Sequence, residues 1–413
     1  MKTIMILGAN DGQLPLIKIC KRKGYKTVVV SPKGDYPGFK LADQSIYLDT
    51  RDKEEILKEA IKLKIDAIVT DQTDVSVGSV AYVAERLGIS GIGTETALRF
   101  ADKYEMRKAA KKAGVNVPDF DKAQCVEDAV AIAERLGYPL IMKPVDSSGS
   151  RGVRKVENAQ DIIDNFEYTK SKSKKENVII ERFITGKEYL ADGFAMDYDY
   201  ITLDVGEKEF FDVPNIYVSK MCMFSSAALA KKDRVMNMVK ETNDKLIKAF
   251  KLPFGITHAE YIYSSLEDKV YLVECAARGG GVFLSSDITP NASGFNTNEA
   301  LIDFIAEGKK AIPNEADLLE KVSGWVCFSF PDGKISEISG IDETRSIPGV
   351  DKVIMDKVFV GMETSALMDD SGKYGPVLFT GNSKEECYNI LKKIRSTLKI
   401  KVMTDEGEKG AIW

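Results

Sequence analysis

Hydrophobic and polar positions alternate with two different periods along residues 1–93. Short apolar runs such as KTIMILGA and YKTVVVSP predict buried strands, and the amphipathic segments between them predict helices, including one from Lys53 to Leu63. Strands that alternate with helices form a parallel sheet covered on both faces, so this region predicts an α/β domain. The turn GANDGQ (8–13) lies at the carboxyl end of the first strand, where such sheets bind ligands. A plain glycine turn is favoured over a nucleotide site there.

The next stretch combines a lysine-bearing helix with a lysine-bearing strand. Residues 94–113 predict a helix broken near Ala101, with Lys103 and Arg107 on one face. The strand PLIMKP then ends in Lys143, immediately before the Ser/Gly-rich loop DSSGSRGV (146–153). A buried lysine is costly without an anionic partner, and the backbone N–H groups of such a loop can bind phosphate oxygens. A phosphate site is therefore favoured over a flexible hairpin loop.

Two runs rich in β-branched and aromatic residues, GITHAEYIY and KVYLVECAA, flank the polar segment SSLED and predict a hairpin. A turn centred on Glu267 would place Glu260 opposite Glu274, with His258 and Ala276 on the same face. Two carboxylates ~5 Å apart repel by about 3 kcal/mol at an effective dielectric near 20. A divalent cation such as Mg²⁺ would reverse that sign. The alternative is a solvated hairpin face followed by a glycine turn.

The pattern changes again near the end of the chain. Residues 285–298 predict a polar loop, and from Pro313 the runs SGWVCFSF, KISEISG, KVFVGMET and PVLFTG predict short strands. A final helix begins at Ser383, where Glu386 completes a capping-box pattern. This region predicts a small α+β appendage.

Composition narrows the functional classes. The 413 residues are 44% hydrophobic and 29% charged, and the net charge of −5 argues against nucleic-acid binding. His258 is the one histidine in the sequence, which disfavours most zinc sites and a Ser–His–Asp triad. The six scattered cysteines, with no signal-peptide or membrane-spanning pattern, predict a cytoplasmic protein with reduced thiols.

The order of the motifs is more specific than any one of them. DKYEMR, IMKP with its Ser/Gly loop, ERFITGKEY, HAEY and VECAARGGG follow each other in a way that resembles the ATP-grasp superfamily across nearly the whole chain. The similarity is greatest to carboxylate–amine ligases such as L-amino-acid ligases, and to carbamoyl-phosphate-synthase-like proteins. It implies an α/β and α+β architecture: a Rossmann-like pre-ATP-grasp domain (1–93), an ATP-grasp domain (94–312, lid about 116–183) and a C-terminal α+β domain (313–413).

The resemblance also implies roles for individual residues. Lys103 and Lys143 would contact the nucleotide phosphates, Glu181 would help to read the adenine edge, and Glu188 would bond the ribose. Glu260 and Glu274 would hold Mg²⁺, and Arg278 would stabilise the transferred phosphoryl group. The implied catalytic residues are Arg278, Lys143 and Glu274. The implied substrate-binding residues are His258, Arg278 and Gly280. The implied nucleotide-binding residues are Lys103, Lys143, Ser147, Ser148, Gly149, Gly152, Glu181, Arg182, Phe183, Ile184 and Glu188.

The implied activity is an ATP-dependent carboxylate–amine ligase that forms an amide bond through an acyl phosphate. The cofactors would be ATP and two Mg²⁺ or Mn²⁺ ions. The partners would be a small carboxylate and an amine, with no nucleic acid and no membrane. A homodimer is left open. Carboxylation or phosphotransfer on the same fold is the alternative, and a nucleotide-binding module without catalysis is a third. Many family members carry asparagine where this chain has Ala276. Glu274→Gln is expected to abolish turnover, with the fold unchanged or slightly more stable without Mg²⁺.

Overall fold

A computed structural model describes residues 1–147, 151–213, 216 and 218–413. Ser148 and Gly149, which the resemblance assigns to nucleotide binding, lie outside the described residues. The structure divides into two compact units. Unit 1 comprises Met1–Thr202, Met238–Gly281 and Thr297–Ile312; unit 2 comprises Leu203–Asn237, Val282–Asn296 and Pro313–Trp413.

The strands are numbered in chain order. They are β1 (Thr3–Leu7), β2 (Lys26–Ser31), β3 (Gln44–Tyr47), β4 (Ala67–Val69), β5 (Phe120–Ala123), β6 (Leu140–Pro144), β7 (Arg154–Val156), β8 (Val178–Arg182), β9 (Lys187–Met196), β10 (Asp199–Phe210), β11 (Ser219–Ser226), β12 (Phe254–Ser264), β13 (Lys269–Ala276), β14 (Val322–Phe328), β15 (Gly333–Ser339), β16 (Val350–Val353), β17 (Glu363–Thr364), β18 (Tyr374–Gly381), β19 (Lys399–Thr404) and β20 (Gly407–Gly410).

The helices follow the same convention. They are α1 (Leu14–Arg22), α2 (Pro37–Leu41), α3 (Lys53–Leu63), α4 (Val77–Leu87), α5 (Thr94–Ala101), α6 (Lys103–Lys112), α7 (Val126–Leu136), α8 (Ala159–Lys170), α9 (Ala227–Ala230), α10 (Arg234–Phe250), α11 (Thr289–Ser293), α12 (Thr297–Glu307), α13 (Ile341–Arg345) and α14 (Lys384–Thr397). Short 3₁₀ or π-helical turns cover Asp11–Gln13, Leu284–Ile288, Glu315–Asp317 and Asp370–Gly372. Among the described residues, no helix is both long enough and apolar enough to cross a lipid bilayer.

The first sheet of unit 1 has the strand order β3-β2-β1-β4, and its pairs are all parallel. Its apolar strand residues pack against α3 and α4, with Met5, Leu7, Val28 and Val30 fully buried. The parallel α/β sheet expected from the sequence is therefore confirmed. Burial on both faces explains why these strands are continuously apolar and do not alternate.

A second sheet of unit 1 has the order β5-β8-β6-β7 and is antiparallel. It is reached through α5 and α6, which are separate helices because Asp102 ends one and caps the other. Its carboxylate accepts the N–H groups of Tyr104 and Glu105 at 2.9 and 3.1 Å, as an N-cap does. The predicted break near Ala101 is confirmed, and the next helix begins at Lys103.

A third group of strands in unit 1 places β12 between β9 and β13, with antiparallel pairing on both sides. Glu260 pairs with Glu274, and His258 pairs with Ala276, as predicted. The uniform register behind that prediction is wrong, however. A β-bulge inserts Val273 into β13, so that Tyr261 pairs with Leu272. Because side chains alternate along a strand, this extra residue is what turns Glu274 onto the face of Glu260.

Unit 2 contains two antiparallel sheets. In one, β11 pairs with β10 and β14, and β18 pairs with β14 and β16; the other has the order β17-β15-β19-β20. The predicted strand KVFVGMET is mostly wrong, because a turn closes from Phe359 to Met362 and Gly361 has a φ of +94°. The predicted loop 285–298 is also wrong in part, since it contains α11.

Candidate functional site

The carboxylates of Glu260 and Glu274 face each other on adjacent strands of unit 1. About a third of each side chain is exposed, 34% for Glu260 and 32% for Glu274, so both are accessible to a ligand. Glu188 of β9 is opposite Ile262 of β12. Ile262 is two residues from Glu260 and lies on the same face of the strand, so Glu188 lies on that face too. The structure thus brings three of the predicted site carboxylates to one surface.

Lys103 balances part of this negative charge. Its Nζ atom lies 2.9 Å from Oε1 of Glu274 and donates a second hydrogen bond of 2.6 Å to the carbonyl oxygen of Ser147. Its side chain is only 7% exposed. The two carboxylates and this lysine carry a net charge of −1 together. The simple picture of two repelling carboxylates is therefore incomplete.

A second charged group, which we call the hinge cluster, consists of Arg107, Lys143 and Glu181. Nε of Arg107 lies 2.6 Å from one oxygen of Glu181, and Nζ of Lys143 lies 2.5 Å from the other. All three side chains are almost completely buried. The cluster holds two cations and one anion, so it carries a net charge of +1 in a place where water cannot screen it.

Burial and charge pairing oppose each other in the pKa values of this cluster. Burial by itself raises the pKa of Glu181, but Arg107 and Lys143 more than offset that effect and lower the pKa to about 2. Burial lowers the pKa of Lys143; Glu181 opposes this shift, while Arg107 and Lys103 reinforce it. Lys143 is thus a lysine whose charge would gain from an additional anion.

Arg107 also connects the hinge cluster to Glu260 and Glu274, which we call the carboxylate pair. Its Nη2 atom donates a 2.6 Å hydrogen bond to the carbonyl oxygen of Val273, the bulged residue of β13. A bulge interrupts the regular ladder, and this bond pairs one of the backbone groups there. The sequence pattern placed Arg107 on the same helical face as Lys103, but it gave no function to this arginine.

Residues 181–184, at the end of β8 and just after it, form the segment expected to contact adenine. The Glu181 carboxylate faces the two cations, so contacts from this residue to a base would come from its backbone. Arg182 forms an ion pair of 2.8 Å with Glu267. The N–H of Phe183 donates to the carbonyl of Pro139 at 3.2 Å, and Ile184 is buried. Of the expected phosphate loop, Gly152 is buried with a φ of +79°, a conformation that favours glycine.

His258 lies on the same face and is paired to Asp192. Its Nδ1 atom is 3.0 Å from Oδ1 of Asp192, and its Nε2 atom is 3.8 Å from Oε1 of Glu260. Burial lowers the pKa of His258, but the Asp192 carboxylate more than offsets this and raises it to about 9. The other oxygen of Asp192 is buried without a hydrogen-bond partner among the described residues. The sequence gave no signal for Asp192.

Arg278 is held by a carboxylate from the segment that follows β4. Its Nε and Nη2 atoms each donate a 2.8 Å hydrogen bond to Asp74, one to each oxygen. Burial lowers the pKa of Arg278, and Asp74 more than compensates, so the net shift is upward. The neighbouring N–H of Gly279 donates to Asp71 at 2.7 Å, and Gly280 is buried. The position of Asp71 and Asp74 just after β4, where open α/β sheets bind ligands, was the available signal for these residues.

The donor set fits a magnesium ion that takes only part of its coordination from protein. Within the described ranges, no group of three or more His, Cys, Asp or Glu side chains could hold a metal ion. Mg²⁺ typically binds one or two carboxylates and completes an octahedron with water and substrate phosphates. Glu260 and Glu274 would hold such an ion, and it would supply neutralisation of phosphate charge.

Comparison with known proteins gives two matching family models. The model described as "Carbamoyl-phosphate synthase L chain, ATP binding domain" matches residues 102–310, which is half of the chain. The model described as "L-amino acid ligase C-terminal domain 2" matches residues 326–403. The first match contains every residue of the carboxylate pair, the hinge cluster and the segment 278–281, which we call the Arg278 loop.

Individual relatives agree with these models. Alanine–anticapsin ligase of Bacillus subtilis is 28% identical over 284 residues, covering 62% of this chain and 57% of that protein. The L-arginine-specific L-amino acid ligase of Bacillus subtilis is 25% identical over 305 residues, covering 72% and 71% of the two chains. The matched region thus spans less than two thirds of the first of these relatives.

Solved structures show the same fold. The L-amino acid ligase of Bacillus licheniformis superposes with a TM-score of 0.81 at 20% identity, covering 98% of this chain and 99% of that one. At this identity the likeness establishes the ATP-grasp fold. With the family model covering half of the sequence, this chain belongs to the ATP-grasp family defined by the carbamoyl-phosphate synthase L chain ATP-binding domain.

Proposed function

We propose that this protein is an ATP-dependent, ADP-forming carboxylate–amine ligase that requires Mg²⁺. The observation that carries the proposal is the opposite surplus charge of two neighbouring groups. The formal charges of the hinge cluster sum to +1, and those of Glu260, Glu274, Lys103 and the His258–Asp192 pair sum to −1. A nucleotide phosphate complements the first group, and a metal ion bound to that phosphate complements the second. The named ligases among the relatives support the same assignment.

The proposed reaction has two steps. A carboxylate oxygen of the substrate attacks the γ-phosphorus of ATP, the bond from that phosphorus to the β–γ bridging oxygen breaks, and ADP leaves. An amine nitrogen then attacks the acyl carbon, the carbon–oxygen bond to phosphate breaks, and the amine loses a proton. Positioning and charge neutralisation account for most of the catalysis of phosphoryl transfer. No nucleophile from the protein is needed.

Each site residue has a proposed part in this scheme. Lys143 and Lys103 bind the phosphates together with the loop at Ser147 and Gly152, and Glu188 binds the ribose. Backbone groups of residues 181–184 contact the adenine. Arg278 neutralises the transferred phosphoryl group and the acyl phosphate, and the adjoining His258 and Gly280 border the substrate. The boundaries 1–93, 94–312 and 313–413 remain our proposed division into functional domains.

The test is a screen for ADP release with pairs of carboxylic and amino acids, followed by mass analysis of the product. We expect ADP, phosphate and an amide in equal amounts, only when both substrates and Mg²⁺ are present. Formation of AMP and pyrophosphate would contradict the acyl-phosphate route. Turnover that depends on bicarbonate and needs no amine would contradict the ligase and indicate carboxylation.

A further inference from the structure

The segment from Asp71 to Asp74 contacts the Arg278 loop at two points. Asp74 binds the guanidinium of Arg278 through two parallel hydrogen bonds of 2.8 Å, and Asp71 accepts the N–H of Gly279 at 2.7 Å. The side chain of Arg278 is 14% exposed and that of Asp74 is 34% exposed. Two side chains from one short segment therefore hold two successive residues of the loop that follows β13.

The segment is itself fixed by the GANDGQ turn. Nε2 of Gln13 donates a 2.6 Å hydrogen bond to the carbonyl of Asp71, and its Oε1 accepts the N–H of Asn10 at 3.1 Å. Gly8 makes room for this arrangement, because a Cβ atom there would lie 2.7 Å from the Gln13 side chain. Gly8 also has a φ of +101°. The turn that the sequence favoured as an ordinary glycine turn thus supports the residues that hold the Arg278 loop.

The geometry restricts what Arg278 can do. A guanidinium has five N–H donors in one plane. Two of them bind Asp74, and a third, on Nη1, binds the carbonyl of Gly279 at 3.0 Å. As far as the described residues go, two donors are left for a ligand. A two-point contact fixes the plane and the direction of the guanidinium, which a single contact would not do.

We propose that Asp74 is a positioning residue for the ligase reaction, which aims the remaining N–H groups of Arg278 at the transferred phosphoryl group. Asp71 serves the same purpose for the backbone of Gly279. The inference rests on the proposed function, because it takes Arg278 as the group that neutralises the acyl phosphate. A displacement of about 1 Å in a catalytic group can lower a rate by ~10²-fold, so a residue that prevents this displacement has a kinetic signature.

The experiment compares Asp74→Asn with a matched control. Asp49 and Arg51 form a similar two-point pair in the same unit, but both side chains are about half exposed. Asp74→Asn is expected to lower kcat for substrate-dependent ADP release by about 10- to 100-fold. Its KM for ATP and its thermal stabilisation by MgADP should stay at wild-type values. Asp49→Asn should leave all three quantities unchanged.

A double-mutant cycle separates positioning from general stability. In the background of Arg278→Lys, which cannot form the planar two-point contact, Asp74→Asn should cause no further loss of kcat. A loss of equal size in both backgrounds would mean that Asp74 acts independently of Arg278 and would overturn the inference. Asp74→Ser serves as a second variant without the charge. Failure of both Asp74 variants to fold, measured by thermal unfolding, would make Asp74 a folding residue and would also overturn it.

The two proposals fail in different ways. Wild-type kcat in Asp74→Asn together with a large loss in Arg278→Lys would overturn the positioning role and leave the proposed function intact. Wild-type kcat in Arg278→Lys would remove the role proposed for Arg278 and, with it, the basis for this inference.

Discussion

The hinge cluster and the carboxylate pair are built from the same kinds of side chain, yet they differ in burial and in the sign of their surplus charge. Arg107, Lys143 and Glu181 are almost inaccessible and carry one extra positive charge. Glu260 and Glu274 are about one-third exposed, and together with Lys103 and the His258–Asp192 pair they have a formal net charge of −1. The difference supports the proposal that a phosphate binds beside the hinge cluster and a metal ion beside the two carboxylates.

The largest expected effect comes from removing the anion of the hinge cluster. Glu181→Gln would leave Arg107 and Lys143 buried without a counter-ion, which typically costs about 3–5 kcal/mol of unfolding free energy. Urea unfolding followed by circular dichroism measures this. Glu267→Gln is the control, because its pair with Arg182 is about one-third exposed and worth no more than about 1 kcal/mol. Equal losses in the two variants would contradict the distinction drawn between buried and exposed pairs.

The second prediction concerns the carboxylate pair. Glu274→Gln is expected to lower ATP turnover by at least about 100-fold, since it removes a proposed ligand of an ion worth several kcal/mol of charge stabilisation. Repulsion between the two carboxylates alone would make Glu274→Gln slightly more stable than wild type without Mg²⁺. The structure predicts the opposite, a loss of stability. Lys103 is buried against Glu274, so the substitution leaves that lysine with less compensation and should lower the melting temperature without Mg²⁺. A higher melting temperature would mean that repulsion between the carboxylates prevails.

A smaller effect is expected when the surplus cation is removed. Lys143→Met leaves Arg107 paired to Glu181, so unfolding free energy should fall much less than in Glu181→Gln. Affinity for ATP should fall by about tenfold, which corresponds to roughly 1.4 kcal/mol for a phosphate contact. Calorimetric titration with MgADP and with MgATP measures the change. Unaltered affinity for both nucleotides would show that Lys143 is only structural.

The last prediction concerns how the free energy of unfolding depends on pH through Glu181, an effect that is negligible near neutral pH. Its pKa in the folded protein is about 2, below the ordinary 4.5, so the unfolded chain binds more protons between these values. The stabilisation from Glu181 is therefore complete above pH 4.5 and is lost as the pH falls toward 2. Urea unfolding between pH 3 and 8 should give a steeper acid loss in wild type than in Glu181→Gln. Parallel curves would contradict this assignment.

Much of the fold was predictable because it depends on local pattern. The continuously apolar strands, the helix Lys53–Leu63 and the break before Lys103 all have short-range causes, namely burial, periodicity and a capping carboxylate. The KVFVGMET segment was mispredicted because its β-branched and aromatic residues suit a strand, while Gly361 bends the backbone there. A left-handed glycine is compatible with a strand-like composition on either side, so propensity alone could not locate this turn.

The sequence by itself determined the chemistry available to this protein: two facing carboxylates, a lysine before a glycine-rich loop, and an arginine before three glycines. Only the tertiary structure decided how that chemistry is paired. The Val273 bulge, the approach of Arg107 to it, and the contacts of Lys103 with Glu274 and of Asp74 with Arg278 join residues that are far apart in the chain. Such pairs leave no periodic trace, because distant segments meet through packing and are not set by any local repeat. The charge balance of the site depends on these long-range contacts. The expected direction of the change in melting temperature in Glu274→Gln could therefore be predicted only from the tertiary structure.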